Sequence, residues 1–293
     1  MNWFLAPFQD HFNQRALLVC VLAGFANGFM SAFVVLRRNA LIVGSLSHAL
    51  LPGIAAAILI AGKLTYYNSL LGALFASFII GLGSLLVSRS SRLDQGTALA
   101  ILYTAAFSVG IILLKYSPTP VDLESYLFGN IYTVSDADMW MIFSISAVTI
   151  LFFTLFERPV LLMLFDSSVA ATLGVPVRLL NYVLLALLIL VMLSSLQAVG
   201  CILALGMLVS PAAAVFMFTD SPKTLFWGGG ILGMLGCSLA LVLAHHTDYP
   251  PGATIVVLLG GVFLLSYIFS PKYGLLRNLS LRKARSGDTP VAT

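Results

Sequence analysis

Charged residues and cysteines are both scarce in this sequence of 293 residues. Only 9% of the residues are charged, whereas ordinary soluble domains carry about 25%. Hydrophobic residues make up 60% and the mean hydropathy is +1.02, which is too much apolar surface for one soluble core. We therefore expect an all-α polytopic membrane protein.

Two further absences narrow the chemistry. The three cysteines, Cys20, Cys201 and Cys237, lie far apart in apolar runs without a C-x-x-C pair, which argues against a disulfide framework or a thiolate metal site. We expect them to face lipid or to pack. The sequence also has no G-x-x-x-x-G-K-[ST] phosphate loop, so we expect a non-enzymatic chain that cannot itself supply an ATPase.

Long apolar runs are abundant, and a helix needs about 20 apolar residues to cross a membrane. They predict about nine transmembrane helices. Merging the close pair 179–197 and 200–219, or dividing the 118–135 loop, gives eight or ten. The predicted spans are 16–36, 46–62, 66–87, 97–114, 138–156, 179–197, 200–219, 224–244 and 252–270.

The basic residues between the spans predict the orientation. If the first span crosses from outside to inside, twelve Lys and Arg residues fall on the inner side and three on the outer side. This bias places the C-terminus in the cytoplasm, and it explains the net charge of +4 without a nucleic-acid partner. The inner residues are Arg37, Arg38, Arg89, Arg92, Arg158, Arg178, Lys223, Lys272, Arg277, Arg282, Lys283 and Arg285; the outer ones are Arg15, Lys63 and Lys115.

Three regions follow from composition. Residues 1–15 repeat Phe at every fourth position among polar residues, which predicts a short interfacial helix, and they lack the marks of a removable signal peptide. Residues 16–275 form the transmembrane domain. Residues 276–293 are basic and then rich in Ser, Gly, Asp and Pro, which predicts a disordered cytoplasmic tail.

Two G-x-x-x-G pairs, Gly24/Gly28 and Gly229/Gly233, allow helix backbones to approach closely. They indicate packing within one bundle or, alternatively, a dimer face.

A polar cluster of Ser45, Ser47 and His48 lies between two apolar runs. Polar groups at membrane depth are costly and are therefore candidates for function. On a helix, Ser45 and His48 share a face, and a neutral imidazole can bind a metal ion. On these residues alone, a hydrogen-bonded packing histidine is the alternative.

Two outer segments carry polar groups. The loop 115–138 holds Asp122 and Glu124, which can attract cations, and it is either re-entrant or simply solvated. The run from His245 to Asp248 offers oxygen and nitrogen ligands near the outer entrance, or it is an interfacial polar cap.

The inner loop predicts a short helix over 168–173. Asp166 or Ser167 can cap its start, Gly174 can close it in the left-handed conformation, and Pro176 prevents its continuation. A capped helix on the cytoplasmic face favours a protein partner, with a position on the lipid surface as the alternative.

Several ordered blocks over about 16–270 resemble the membrane permease subunits of ATP-binding-cassette importers for manganese, zinc and iron(II). That family's early L-R-R, G-D, S-H-A and P-G elements are matched within 36–53, with one departure at Ser45. The later matches are S-Y-L-F-G at 125–129, F-D-x-x-x-A-x-x-x-G at 165–174, V-G and P-A-A-A at 199–214, and G-x-S with P-x-G at 236–252.

The resemblance implies an ATP-driven importer of Mn²⁺, Zn²⁺ or Fe²⁺ in the bacterial cytoplasmic membrane, working by alternating access, with the metal as cargo and no permanently bound cofactor. It implies that His48, Ser45 and Ser47 line the path. The implied partners are two cytoplasmic ATP-binding subunits, an external metal-binding protein, a second permease subunit and membrane lipid. The residues implied to couple to the ATPase are Asp166, Ala170 and Gly174.

The departure is Ser45, where the family usually has Asp. A serine hydroxyl is a weak neutral ligand compared with a carboxylate. Three explanations stay open: a sister permease chain carries the Asp, this chain is divergent or engineered, or the path holds metal loosely, since a transported ion must also leave.

Other interpretations also remain. A secondary transporter or channel could use the same polar residues without ATP, and a permease for iron chelates or cobalamin is a near relative. An intramembrane hydrolase would pair a serine with His48, but both serines lie on the same helix and no oxyanion loop is recognisable.

Overall fold

Eleven helices follow one another in the described part of the chain. The computed structural model describes residues 11–38, 40–62, 66–116, 131, 134–271 and 274, with all their side chains except those at 11–13, 40–43, 45–49, 66–67, 69–70, 85, 95, 197–199 and 201–203. The helices are α1 (His11–Leu36), α2 (Ala40–Ala61), α3 (Tyr66–Ser90), α4 (Gln95–Leu114), α5 (Asp136–Leu155), α6 (Glu157–Phe165), α7 (Ser167–Thr172), α8 (Val177–Val199), α9 (Cys201–Phe216), α10 (Pro222–Thr247) and α11 (Pro251–Phe269).

The all-α membrane architecture is confirmed. Within the described residues, seven helices are long and apolar enough to cross a membrane, and the apolar stretches Leu50–Ala61 in α2 and Ala204–Phe216 in α9 are shorter. Each of the nine predicted spans coincides with one of the nine longer helices. The predicted count of about nine transmembrane helices is therefore approximate.

Two boundaries differ from the prediction. The helix α2 begins at Ala40, six residues before the predicted span, so Ser45 lies within the helix. The helix α1 begins at His11, so residues 11–15 are continuous with the first span. Residues 1–10, the rest of the predicted interfacial segment, lie outside the described residues. All of the tail residues 276–293, with their predicted disorder, lie outside them as well.

The two G-x-x-x-G pairs pack against each other. A Cβ added at Gly24 would lie 2.7 Å from the carbonyl oxygen of Gly233, and one at Gly28 would meet the carbonyl oxygen of Gly229. Backbone therefore touches backbone, and α1 and α10 run antiparallel in close contact. This confirms that the glycines pack helices within one bundle.

A second glycine contact unites α2, α3 and α4. Cβ atoms at Gly53 of α2 or Gly72 of α3 would each meet the carbonyl oxygen of the other glycine. On α4, a Cβ at Gly110 would lie 2.8 Å from the Cα of Pro52. These three helices form a group that packs more closely within itself than against the rest of the bundle.

Aromatic rings pack against one another between α1, α5 and α10. The ring of Phe29 on α1 lies 5.0 Å from that of Phe153 on α5, and 5.2 Å and 5.6 Å from those of Phe226 and Trp227 on α10. Such edge and tilted contacts stabilise a core beyond simple burial. They hold α1, α5 and α10 together next to the short helices α6 and α7.

Ion pairs join helix ends on each predicted side. Arg15 contacts Asp136 at 3.0 Å on the outer side, and Lys223 contacts Glu157 at 2.8 Å on the inner side. All four side chains are exposed, so each pair contributes no more than about 1 kcal/mol. The C-terminal side of the membrane stays a prediction.

Candidate functional site

The predicted metal cluster lies in the first half of α2. Ser45, Ser47 and His48 all belong to this helix, while their side chains are outside those the structure describes. Their neighbour Gly44 is half-buried, and a Cβ there would lie 3.5 Å from Cδ2 of Leu205 on α9. The helix α9 therefore lies directly beside the segment that carries the cluster.

A polar pair on α1, Asn27 and Ser31, was missed by the sequence predictions. Both side chains are fully buried. The amide nitrogen of Asn27 donates to the carbonyl oxygen of Ala23 at 2.8 Å, and its amide oxygen accepts from the hydroxyl of Ser195 on α8 at 3.2 Å. This bond ties α1 to α8 in the interior of the bundle.

Ser31 makes the corresponding bond to α9. Its hydroxyl donates to the carbonyl oxygen of Gly28 and accepts from the backbone N–H of Ala212 at 3.0 Å. Ala212 directly follows Pro211, whose ring disturbs the hydrogen bonds of a helix interior. Ser31 thus satisfies a backbone donor at the point where α9 is weakened.

The missed pair has a signal in the sequence. Asn27 and Ser31 are four residues apart within an apolar run, which places them on one helix face. Their partners on α8 and α9 are set by tertiary packing, and no local pattern indicates them.

Ser31→Ala is expected to destabilise the folded chain by about 1–3 kcal/mol, because the buried N–H of Ala212 loses its side-chain acceptor. Ser144→Ala is the matched control, since the exposed Ser144 hydroxyl bonds only to its own helix, at Trp140. Thermal unfolding in detergent measures the difference. Equal unfolding temperatures for the two variants would remove the bridging role of Ser31.

The short helix α7 is capped as predicted, with Asp166 rather than Ser167 as the N-cap. The Oδ1 atom of Asp166 accepts the backbone N–H groups of Ser168 at 2.8 Å and Val169 at 3.1 Å. The bond from Val169, followed by that from Ser168, holds the pKa of the Asp166 carboxyl below its ordinary value. The cap is therefore intact at neutral pH and is lost as the pH falls through that lowered pKa.

The end of α7 has the geometry expected for a glycine stop. Gly174 has a φ of +80°, which favours glycine, and its N–H donates to the carbonyl oxygen of Ala171 at 3.1 Å. The N–H of Val175 donates to the carbonyl oxygen of Ala170 at 3.0 Å. These two bonds form a Schellman motif, which fixes where the chain leaves the helix.

Large apolar side chains are exposed along α7 and at its two ends. The exposed fractions are 73% for Phe165, 45% for Val169 and 67% for Leu173, while Ala170 is fully buried against the bundle. The three exposed residues are spaced four apart, and we name them the α7 face. A group of large apolar side chains is exposed here, while the buried alanine of the same helix packs against the bundle. Such an exposed apolar group is typical of a protein contact.

Of the four outer candidates, the structure describes His245 and Asp248. Both are exposed at the C-terminal end of α10, and the ring of His245 lies 5.5 Å from that of His246. Across the described ranges, no three His, Cys, Asp or Glu side chains are grouped so as to hold a metal. Asp122 and Glu124 of the outer loop lie outside the described residues.

Comparison with known proteins identifies the family. Residues 9–270 match the family model of the ABC 3 transport family. The chain belongs to the ABC 3 transport family. This confirms the resemblance found in the sequence and makes the ABC 3 chain a multi-pass membrane protein of an ATP-binding-cassette transporter.

Individual relatives of the ABC 3 chain match it over nearly its whole length. The manganese transport system membrane protein MntC of Halalkalibacterium halodurans is 35% identical over 264 residues, which cover 90% of this chain and 89% of the relative. A protein of Haemophilus influenzae named "Probable iron transport system membrane protein" is 31% identical and covers 94% of this chain and 96% of its own. The solved structure of PsaBC from Streptococcus pneumoniae in complex with Fab matches with a TM-score of 0.85 and 30% identity, over 95% of this chain and 98% of that chain.

Proposed function

We propose that this chain is the permease subunit of an ATP-driven importer for divalent transition metals, with Mn²⁺ as the first candidate and Fe²⁺ and Zn²⁺ as the others. The full-length match to MntC supports manganese, and the match to the Haemophilus protein supports iron. The chain supplies the passage through the cytoplasmic membrane, and its C-terminus lies on the cytoplasmic side. Its passage opens alternately to the two sides.

The proposed path runs along α2, where His48 offers an imidazole nitrogen and Ser45 and Ser47 offer hydroxyl oxygens. Imidazole binds Mn²⁺, Fe²⁺ and Zn²⁺, whereas a hydroxyl holds them weakly. Weak binding suits an ion that must leave again. The contact of α2 with α9 supports this placement, because α9 can transmit movement of the bundle to the metal-binding segment.

The partners follow from the same proposal. Cytoplasmic ATP-binding subunits contact the α7 face, and Asp166, Ala170 and Gly174 hold that helix in place. An external metal-binding protein delivers the ion, with Asp122, Glu124, His245 and Asp248 near the entrance. A second permease subunit, either a copy of this chain or a sister chain, completes the passage.

The proposal is tested on the reconstituted complex with its ATP-binding subunits and metal-binding protein. His48→Ala is expected to lower Mn²⁺ flux at least tenfold, because the passage loses its one imidazole ligand on α2. Ser45→Asp is expected to tighten metal binding by adding a carboxylate. Flux of ⁵⁴Mn²⁺ into proteoliposomes and metal-stimulated ATP hydrolysis are measured together.

Ser144→Ala provides a control on α5, a helix that carries none of the proposed ligands, because the exposed Ser144 hydroxyl bonds only to its own helix at Trp140. Unaltered flux in His48→Ala would reduce His48 to a packing residue. Stimulation of ATP hydrolysis by an iron chelate or cobalamin, and not by free Mn²⁺, Fe²⁺ or Zn²⁺, would replace the proposed cargo.

A further inference from the structure

Two cysteines from distant parts of the sequence lie in the same region of the bundle. Cys20 on α1 is 1% exposed and Cys237 on α10 is fully buried, and both belong to one buried apolar cluster. Both are free thiols. Both therefore pack in the interior, which is one of the two positions that the sequence allows. Their separation along the chain does not indicate how close they lie in the fold.

The glycine contacts set the register that brings the two thiols together. Gly24 of α1 lies against Gly233 of the antiparallel α10. Cys20 precedes Gly24 by about one turn, and Cys237 follows Gly233 by about one turn, so antiparallel packing places both cysteines at the same level. A Cβ at Gly24 would lie 3.1 Å from both Cβ and Sγ of Cys237, which shows that the Cys237 side chain points at α1.

We propose that Cys20 and Cys237 are a latent disulfide site, which a membrane-permeant two-electron oxidant closes between α1 and α10. A disulfide requires Cα atoms about 4.4–6.8 Å apart. Two helices whose backbones touch one turn away approach more closely than the usual interaxial distance of about 8–10 Å.

The covalent step leaves no charge in the apolar interior. One S–S bond forms between the two Sγ atoms, and each thiol gives up one proton and one electron. With molecular iodine as the oxidant, the I–I bond breaks, two iodide ions form and two protons are released. Two thiolates holding a metal would instead bury charge in the same place, which is costly, so the site favours a disulfide over a metal.

The bond joins helices near the two ends of the chain. It closes most of the bundle into one covalent loop, which disfavours the unfolded state. Because α1 and α10 are already in backbone contact, it forms without separating or reorienting them. This inference does not depend on the cargo or on the ATP-binding partners.

The test counts thiols in the full-length chain in native membranes. Membranes are treated with iodine, quenched and denatured, and the remaining thiols are labelled with polyethylene-glycol maleimide. The reduced chain should take up three labels, one for each cysteine. The oxidised chain should take up one, at Cys201, and a dithiol reductant should restore all three.

Two matched variants complete the experiment. Cys20→Ser and Cys237→Ser should each keep both remaining thiols through the same oxidation, because neither has a partner left. Three labels on the oxidised wild-type chain would overturn the proposal. Loss of labels from Cys20→Ser would also overturn it, since that thiol would be oxidised without Cys20. Because the number of labelled thiols does not depend on transport, the result tests the disulfide site independently of the proposed function.

Discussion

Leu173→Asp is expected to abolish metal-stimulated ATP hydrolysis by the assembled transporter while leaving the chain folded in the membrane. Leu173 is 67% exposed on the α7 face, so the substitution disturbs little packing within the chain. At the proposed contact, however, it places a carboxylate against an apolar surface of the ATP-binding subunit. The loss of one such contact residue costs about 2 kcal/mol or more, which corresponds to roughly thirtyfold weaker association.

Leu93→Asp is the matched control for that experiment. Leu93 is an exposed leucine on the same predicted side, between α3 and α4, and it lies outside the α7 face. Co-purification of the ATP-binding subunits and the rate of ATP hydrolysis are measured for both variants. Full hydrolysis in Leu173→Asp, or equal loss in both variants, would contradict docking on the α7 face.

Asp166→Ala tests the N-cap of α7 separately from the three residues of the α7 face. It removes the acceptor for the N–H groups of Ser168 and Val169 but leaves the three apolar residues of the α7 face in the sequence. We expect a partial loss of coupling, because the face remains but is held less firmly.

Gly28→Ala is expected to disrupt folding of the bundle. The new Cβ would meet the carbonyl oxygen of Gly229 and would lie 3.1 Å from the Cα of Gly233. Both obstacles are backbone atoms, so no side-chain rotation relieves the clash and α1 must move away from α10. Overpacking of this kind costs about 1–3 kcal/mol, and we expect the upper end of that range.

Gly260→Ala is the control for Gly28→Ala, because a Cβ at Gly260 has no atom within 4 Å. The two variants make the same chemical change in a membrane helix, so they share the same effect on helix propensity. The monodisperse fraction in size-exclusion chromatography and the unfolding temperature are measured. Similar values for the two variants would show that close contact between α1 and α10 is not required.

The parts of the fold that depend on local sequence were predictable. Apolar length gave the spans, and the run from Asp166 to Gly174 gave a capped helix, because capping involves only neighbouring backbone groups. The close packing of Gly24 and Gly28 was also predictable, since only glycine permits backbones to touch. The sequence left open whether these glycines pack within one bundle or form a dimer face, and the structure places them against α10.

The parts that depend on tertiary register were not predictable. Neither the bond from Ser195 to Asn27 nor the bond from Ala212 to Ser31 is indicated by its own helix, because each joins residues more than 160 positions apart. The opposition of Cys20 and Cys237 follows only once the glycine contacts fix how α1 and α10 align. The start of α2 at Ala40 is also not indicated, because apolar length predicts a membrane span and not the full length of a helix.

The most direct test of the proposed metal passage is ATP-dependent uptake of ⁵⁴Mn²⁺ into proteoliposomes that contain this chain with its ATP-binding subunits and the metal-binding protein. We expect uptake when ATP is on the side of the membrane that corresponds to the cytoplasm, and no uptake with a non-hydrolysable analogue. We also expect a large loss of uptake in His48→Ala. Equal uptake with and without hydrolysable ATP, or no uptake of Mn²⁺, Fe²⁺ or Zn²⁺ under any condition, would contradict it.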